Sequence, residues 1–250
     1  PGNPLAHFNA RKSEAFYWTI LQFGSHVLSN ELAWCEVCVL RSTLRKTIKG
    51  GLSGLCAAVL KHLFFNQSEV DVSTAGACFE LDDGSFVHIW LKLGIILADE
   101  AALHAMLNFK GASGLKCCSK CWNVFTRKYM ISRGITSTPD LEVVDHTCTD
   151  ASKLVKQSDS MVAAVLRRLQ AVKGTESFGE LETSLGWTLN EHGLLLDPAL
   201  KHHMKPHSQT FFDWMHTIFQ SGIFNRHVVQ MLQALKRLKI LPNTIYELSL

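Results

Sequence analysis

Residues Ile95 to Cys121 read IILADEAALHAMLNFKGASGLKCCSKC, and the rest of the chain is organised around this stretch. It opens inside an apolar run, Leu93 to Ala98, that stops at Asp99. A helical segment follows from Glu100 to Leu107, then a Gly/Lys loop, then Cys118-x-x-Cys121 with Cys117 beside it. An acid at the C-terminal end of a buried strand occupies a site-building position in α/β folds. A Cys-x-x-Cys on a glycine-rich loop supplies two of the four ligands of a tetrahedral zinc site.

Working outward from there, the preceding segment Phe86 to Ala98 reads as one long strand, buried on both faces because LGIIL is apolar throughout. Ala77 to Leu81 reads as a short strand, and Asp82-Asp83-Gly84 as the hairpin turn between the two. Leu52 to Phe65 carries Leu52, Leu55, Cys56, Val59, Leu60 and Leu63 on one face, the pattern of an amphipathic helix. Ala15 to Phe23 and Leu32 to Leu40 are aromatic and β-branched, and read as antiparallel strands. The basic run Arg41, Arg45, Lys46 and Lys49 is either a solvated loop or an edge that touches phosphates.

Past Cys121 the composition changes. Val155 to Val172 is helical, with Val162, Val165, Leu166 and Leu169 on one face. Phe178 to Leu185 is a short helix, and Thr210 to Leu238 reads as helix-rich with a break near Ser221-Gly222. The sequence therefore predicts a mixed α/β (α+β) chain in two parts. Residues 1–121 form a strand-and-helix core portion ending in the cysteine knuckle, and residues 122–250 a mainly helical region.

The bulk numbers bound the class. The chain has 250 residues, 47% of them apolar, which is enough for a substantial core. The net charge of +3 permits nucleic-acid contact without requiring it. Eight cysteines at uneven spacings favour thiols or metal over a disulfide scaffold. Lys92, Asp99 and Glu100 interrupt the best apolar run, so none reaches membrane-spanning length. A nuclear or cytoplasmic protein is expected, starting and stopping as a piece of something longer.

Each chemical motif has two readings. Asp99 is a helix N-cap or a metal-binding carboxylate. Cys118 and Cys121 are zinc ligands or chance neighbours, with His146, Cys148, His202, His203 and His207 available downstream to complete a site. Cys35 and Cys38 have the same spacing but fall in an apparent strand, where they point to opposite faces, and read as core thiols. Asp213 and His216 share a face if Phe211 to His216 is helical; otherwise Asp213 is a cap. Lys110, Lys116, Lys120, Arg127 and Lys128 make the knuckle basic, which suits a phosphate backbone and is also ordinary surface.

Taken together, ADEAALHAMLNFKGASGLKCCSKC and the later FFDWMH resemble transposases of the CACTA/Plavaka type, RNase H-like DDE/D enzymes of cut-and-paste DNA transposons. The PGNPL and RKSEAFYW segments also look like family sequence just after the first strand. The resemblance implies an RNase H-like mixed sheet, incomplete here, with a zinc knuckle and a helical insertion. It implies that Asp99 is the second catalytic carboxylate, binding Mg2+ or Mn2+. Cys118 and Cys121 hold Zn2+, with His202, His203 or His207 as further ligands. Asp213 and His216 form the Asp-x-x-His signature that supports the site.

The resemblance also implies that Arg41, Arg45, Lys46, Lys49, Lys110, Lys116 and Lys120 contact DNA at the transposon ends. The first acid is expected immediately upstream of Pro1 and the last beyond the insertion; Glu247, the late acid present, is not assigned. A homo-oligomer is left open. The alternative from another class is a non-catalytic, zinc-containing DNA-binding or interaction module. Another RNase H-like nuclease would have no reason for the knuckle or the insertion.

Overall fold

The computed structural model describes residues 13–41, 43–65, 71–126, 143–213 and 223–238. His216 and the basic Arg127 and Lys128 lie outside the described residues.

The chain is a mixed α/β fold whose strands pair two by two. Strands β1 (Ser13–Trp18) and β2 (Cys35–Arg41) are antiparallel, with Ser13 opposite Arg41 and Trp18 opposite Cys35. This is the expected pairing, shorter at each strand than the apolar runs suggest. The polar link between them is itself ordered, as short 3-10 turns around α1 (Gly24–Leu28). Cys35 is exposed and Cys38 half-buried, so the expectation of two core thiols holds at neither position in full. The edge of this two-stranded ribbon leaves β2 too shallow to bury both faces.

Helix α2 (Gly51–Leu60) runs on as a wider π turn from Lys61 to Phe65, covering the span the periodicity predicts. It starts after Gly50, whose φ of +81° only glycine adopts cheaply. A Cβ there would also sit 2.5 Å from the His192 carbonyl oxygen. The hairpin β3 (Ala77–Glu80) and β4 (Phe86–Ile89) pairs Ala77 with Ile89 as expected. Asp83 closes its turn, accepting from the Ser85 N–H at 2.9 Å and its hydroxyl at 2.6 Å.

The long strand expected from Phe86 to Ala98 is broken. β4 ends at Ile89, and only Ile96–Ala98 resumes as β5. Between them Leu91 bonds back to the Val72 carbonyl, and Leu91 and Leu93 turn onto the core. An apolar run satisfied by core packing needs no ladder partner, and periodicity cannot distinguish the two.

β5 has a partner the sequence did not announce. It pairs in parallel with β8 (Thr210–Phe212), Ile96 opposite Thr210 and Ala98 opposite Phe212. The stretch from Thr210 therefore begins as a strand, where a helix was expected; Thr210 and the two phenylalanines carry β propensity that pairing with β5 realises. Helix α3 (Glu100–Leu107) lies between the two strands in sequence, and helix α6 (Ile223–Arg237) comes after β8. A second small parallel pair joins β6 (Val124–Phe125) to β7 (Val144–Asp145).

Helices α4 (Asp159–Ala171) and α5 (Phe178–Leu185) occupy their expected places. Val162, Val165, Leu166 and Leu169 of α4 are buried, as their spacing predicts. They join one apolar core with Leu103 and Leu107 of α3, Cys56 and Leu60 of α2, and Trp187, Leu194 and Leu200 of the segment after α5. Burying each large side chain contributes about 1.5–3 kcal/mol. That core draws on both sides of residue 122, so residues 1–121 and 122–250 do not each keep a core of their own.

A polar latch fastens this core. Asn108 ends α3 at φ +57°, donates to the Ser53 hydroxyl at 2.7 Å and accepts from the Asn190 amide at 3.0 Å. The fully buried Ser53 oxygen also accepts from the Leu194 N–H at 2.9 Å. We predict that Asn108→Ala lowers the unfolding free energy by about 2–4 kcal/mol, through two lost hydrogen bonds and left-handed strain. Asn108→Gly, which keeps the φ without strain, is less costly by about 1 kcal/mol. Urea denaturation checks the ordering; equal losses would show that backbone strain plays no part.

Candidate functional site

The site is built where β5 and β8 end. Asp99 is the first residue after β5, in extended backbone, and its Oδ1 accepts from the Ala102 N–H at 2.7 Å. This is an N-cap, the first of the two readings open to it. Asp213 follows β8 directly, and its N–H donates to the Ala98 carbonyl at 2.8 Å. The ladder thus continues one step past the Ala98–Phe212 pair and sets Asp99 and Asp213 at the neighbouring carboxyl ends of two parallel strands. Two carboxylates far apart in sequence are thereby brought to one edge, at the position where open α/β sheets bind ligands.

A residue that sequence reasoning passed over lies beside them. His104, one turn into α3, meets Phe109 edge-on at 5.0 Å and Phe212 at 6.1 Å. Its Nε2 is 3.9 Å from Glu100 Oε1. Burial holds its pKa below the ordinary value against the opposing pull of Glu100, so the ring stays neutral at pH 7. Its signal in the sequence was the i, i+4 spacing from Glu100, next to the acid.

The cysteine loop is fastened to the same edge by its lysines. The Lys120 ammonium donates to the His207 carbonyl at 2.7 Å, to the Thr210 hydroxyl at 3.0 Å and to the Thr210 carbonyl. It thereby clamps the loop to the start of β8. Lys116 is 2% exposed, donates to Gln157 Oε1 at 2.6 Å and lies 4.3 Å over the Trp122 ring. Lys110 lies 3.6 Å from Glu182. The expectation of DNA contact at Lys110, Lys116 and Lys120 is corrected by these partners, because ammonium groups held inside the fold do not face a phosphate. Arg45 pairs with Glu14 at 3.0 Å, while Arg41, Lys46 and Lys49 are exposed.

The Cys118 and Cys121 thiols are hydrogen-bonded to each other. Burial first, and then Cys118, push the Cys121 thiol up to about 12. Cys117 is raised by burial and then by Cys118, Asp145 and Glu100, which sets the loop against the first turn of α3. Of the three histidines expected as further zinc ligands, His207 lies at the Lys120 clamp, with its N–H on Asp159 Oδ1 at 2.7 Å. His203 instead stacks on Phe65 at 4.5 Å, and His202 is exposed. Among the described residues no three His, Cys, Asp or Glu side chains converge as a metal cage. Cys118 and Cys121 stand there as a pair, two of the four ligands a structural zinc takes.

No protein-family model, curated protein or solved structure matches the chain. No helix among the described residues is long and apolar enough to cross a membrane.

The buried Lys116 yields a pH prediction. Desolvation lowers its pKa to about 8 from the ordinary 10.5, with Cys118 and Cys121 pulling the other way. The charged form is thus penalised on folding, fully so below about pH 8. Between 8 and 10.5 the unfolded chain binds the extra proton, and the penalty is relieved as pH rises. Wild type should gain stability relative to Lys116→Met over that window. Taking the difference removes the opposing contribution of Cys121, which both proteins share. A pH-independent difference in urea midpoints would refute the assignment.

Proposed function

We propose that the chain is part of a metal-dependent DNA strand-cleavage and strand-transfer enzyme of the RNase H-like DDE/D transposase class. The observation that carries this is the pairing of β5 with β8, which sets Asp99 and Asp213 side by side. A strand, a helix and a second parallel strand, with an acid at each strand end, is the arrangement a sheet-edge carboxylate site needs. The sequence likeness at Asp99, Cys118, Cys121 and Asp213 points the same way.

The residues suit a hard divalent ion. Mg2+ and Mn2+ take carboxylate oxygens, and Asp99 uses Oδ1 for its cap, leaving Oδ2 directed away from that bond. When bound, such an ion supplies Lewis-acid activation of water or of a 3'-hydroxyl, and stabilises the leaving oxygen. The chain's own part is to hold and orient the two carboxylates. α3 fixes Asp99 through the cap, and the Ala98–Asp213 hydrogen bond fixes Asp213 through the backbone. Neutral His104 and the rings of Phe109 and Phe212 shield the near side of this edge. Exposed Arg41, Lys46 and Lys49 are the basic residues we assign to DNA phosphates. Cys118 and Cys121 we assign to structural zinc, which would cross-link the loop that Lys120 holds against β8.

A second reading is favoured by one observation, the Asp99 cap itself. If capping is all Asp99 does, the chain is a non-catalytic DNA-binding or interaction module.

Asp99→Asn separates the two. Asparagine caps a helix about as well as aspartate, so stability is retained, while the charge that holds a divalent ion is removed. With Mn2+ as the probe, wild type should show saturable binding by calorimetry and a metal-dependent rise in melting temperature. Asp99→Asn and Asp213→Asn should each weaken that binding at least about tenfold. Unchanged Mn2+ binding in both variants would leave only the non-catalytic module.

A further inference from the structure

Helix α6 carries a stripe that nothing described in the fold uses. From Phe224 the apolar residues fall at Val228, Met231, Leu235 and Leu238, alternately four and three residues apart. That is the a/d spacing of a coiled-coil seam. Met231 and Leu238 are 54% and 68% exposed, and Val228 and Leu235 are half-buried. Among the described residues, none of these side chains belongs to the apolar core or packs against it.

The charges say what kind of partner fits. With Val228 and Leu235 at a positions, Arg226 falls at f, Lys236 at b and Arg237 at c, all on the outer face. The e and g positions that flank a seam hold Asn225, His227, Leu232 and Ala234, with no acid and no lysine or arginine. No acidic residue lies between 223 and 238 to attract a basic partner or repel an acidic one. A seam with uncharged flanks is complementary to itself, and Leu232 at an e position widens it.

We propose that α6 is a self-association surface, and that its occupant is α6 of a second copy of this chain. The contact spans two heptads, so it is reversible and weak on its own. Its effect is to bring two copies of the β5–β8 edge into one assembly. This inference stands independently of the metal site.

Sedimentation equilibrium of the whole chain tests it. Wild type should dissociate from dimer to monomer on dilution through the micromolar range. Leu235→Glu and Met231→Glu should each raise the dissociation constant at least about tenfold, because each places a carboxylate in an apolar seam. Gln233→Glu, at an f position, should leave it unchanged. Far-UV circular dichroism and the melting temperature confirm that each variant is folded. Lysine cross-linking with mass spectrometry gives a second readout, with a Lys236–Lys236 product between copies expected. A monomer at every concentration would overturn the proposal, as would a dimer indifferent to both seam variants. A monomer that co-sediments with phosphatidylserine vesicles would overturn it too, assigning the stripe to a lipid surface.

Discussion

Two backbone hydrogen bonds hold the candidate site together, Ile96 N–H to the Gln209 carbonyl and Asp213 N–H to the Ala98 carbonyl. They frame a parallel pair of three-residue strands, and a ladder that short does not hold by itself. Each bond contributes about 1 kcal/mol net, against the entropy of closing a long loop between the strands. The pair persists because other parts of the fold bring its ends together. Ile96, Ala98 and Phe212 lean on the main core. Lys120 reaches across ninety residues of chain to hold Thr210. The lysine that reads as a DNA contact is thus the residue that positions the strand bearing Asp213.

The cysteine loop and the acid edge are therefore one structure. Lys116 lies beneath the loop beside Cys118 and Cys121, and Lys120 ties the loop to β8. A buried ammonium is costly unless paired and hydrogen-bonded. Here the offset comes from Gln157, the Trp122 face and the nearby thiols. A metal on Cys118 and Cys121 would leave two thiolates facing Lys116, the pairing that best repays its burial.

The amphipathic helices were legible because their period is local. Val162, Val165, Leu166 and Leu169 announced both α4 and the face it buries, and the Asp-Asp-Gly turn announced the β3–β4 hairpin. Asp99 was legible as a strand-end acid and as a cap, and the structure realises the cap. Three features were out of reach of any window. β8 is three residues long, and what makes it a strand is a partner far away in sequence. The interruption at Trp90–Ile95 comes from Leu91 and Leu93 turning to the core, which an apolar run does not reveal. The fate of Lys110, Lys116 and Lys120 depended on Glu182, Gln157 and Thr210, contacts that only folding creates. A lysine in a sequence looks solvated until its partner is known.

The central claim is that the ends of β5 and β8 form one divalent-ion site. The most direct measurement is an anomalous difference map from crystals of this chain soaked in Mn2+. The account predicts a peak bridged by the Asp99 and Asp213 carboxylates. A fully soaked crystal with no peak between them, and Asp99 engaged only with the Ala102 amide, would contradict it.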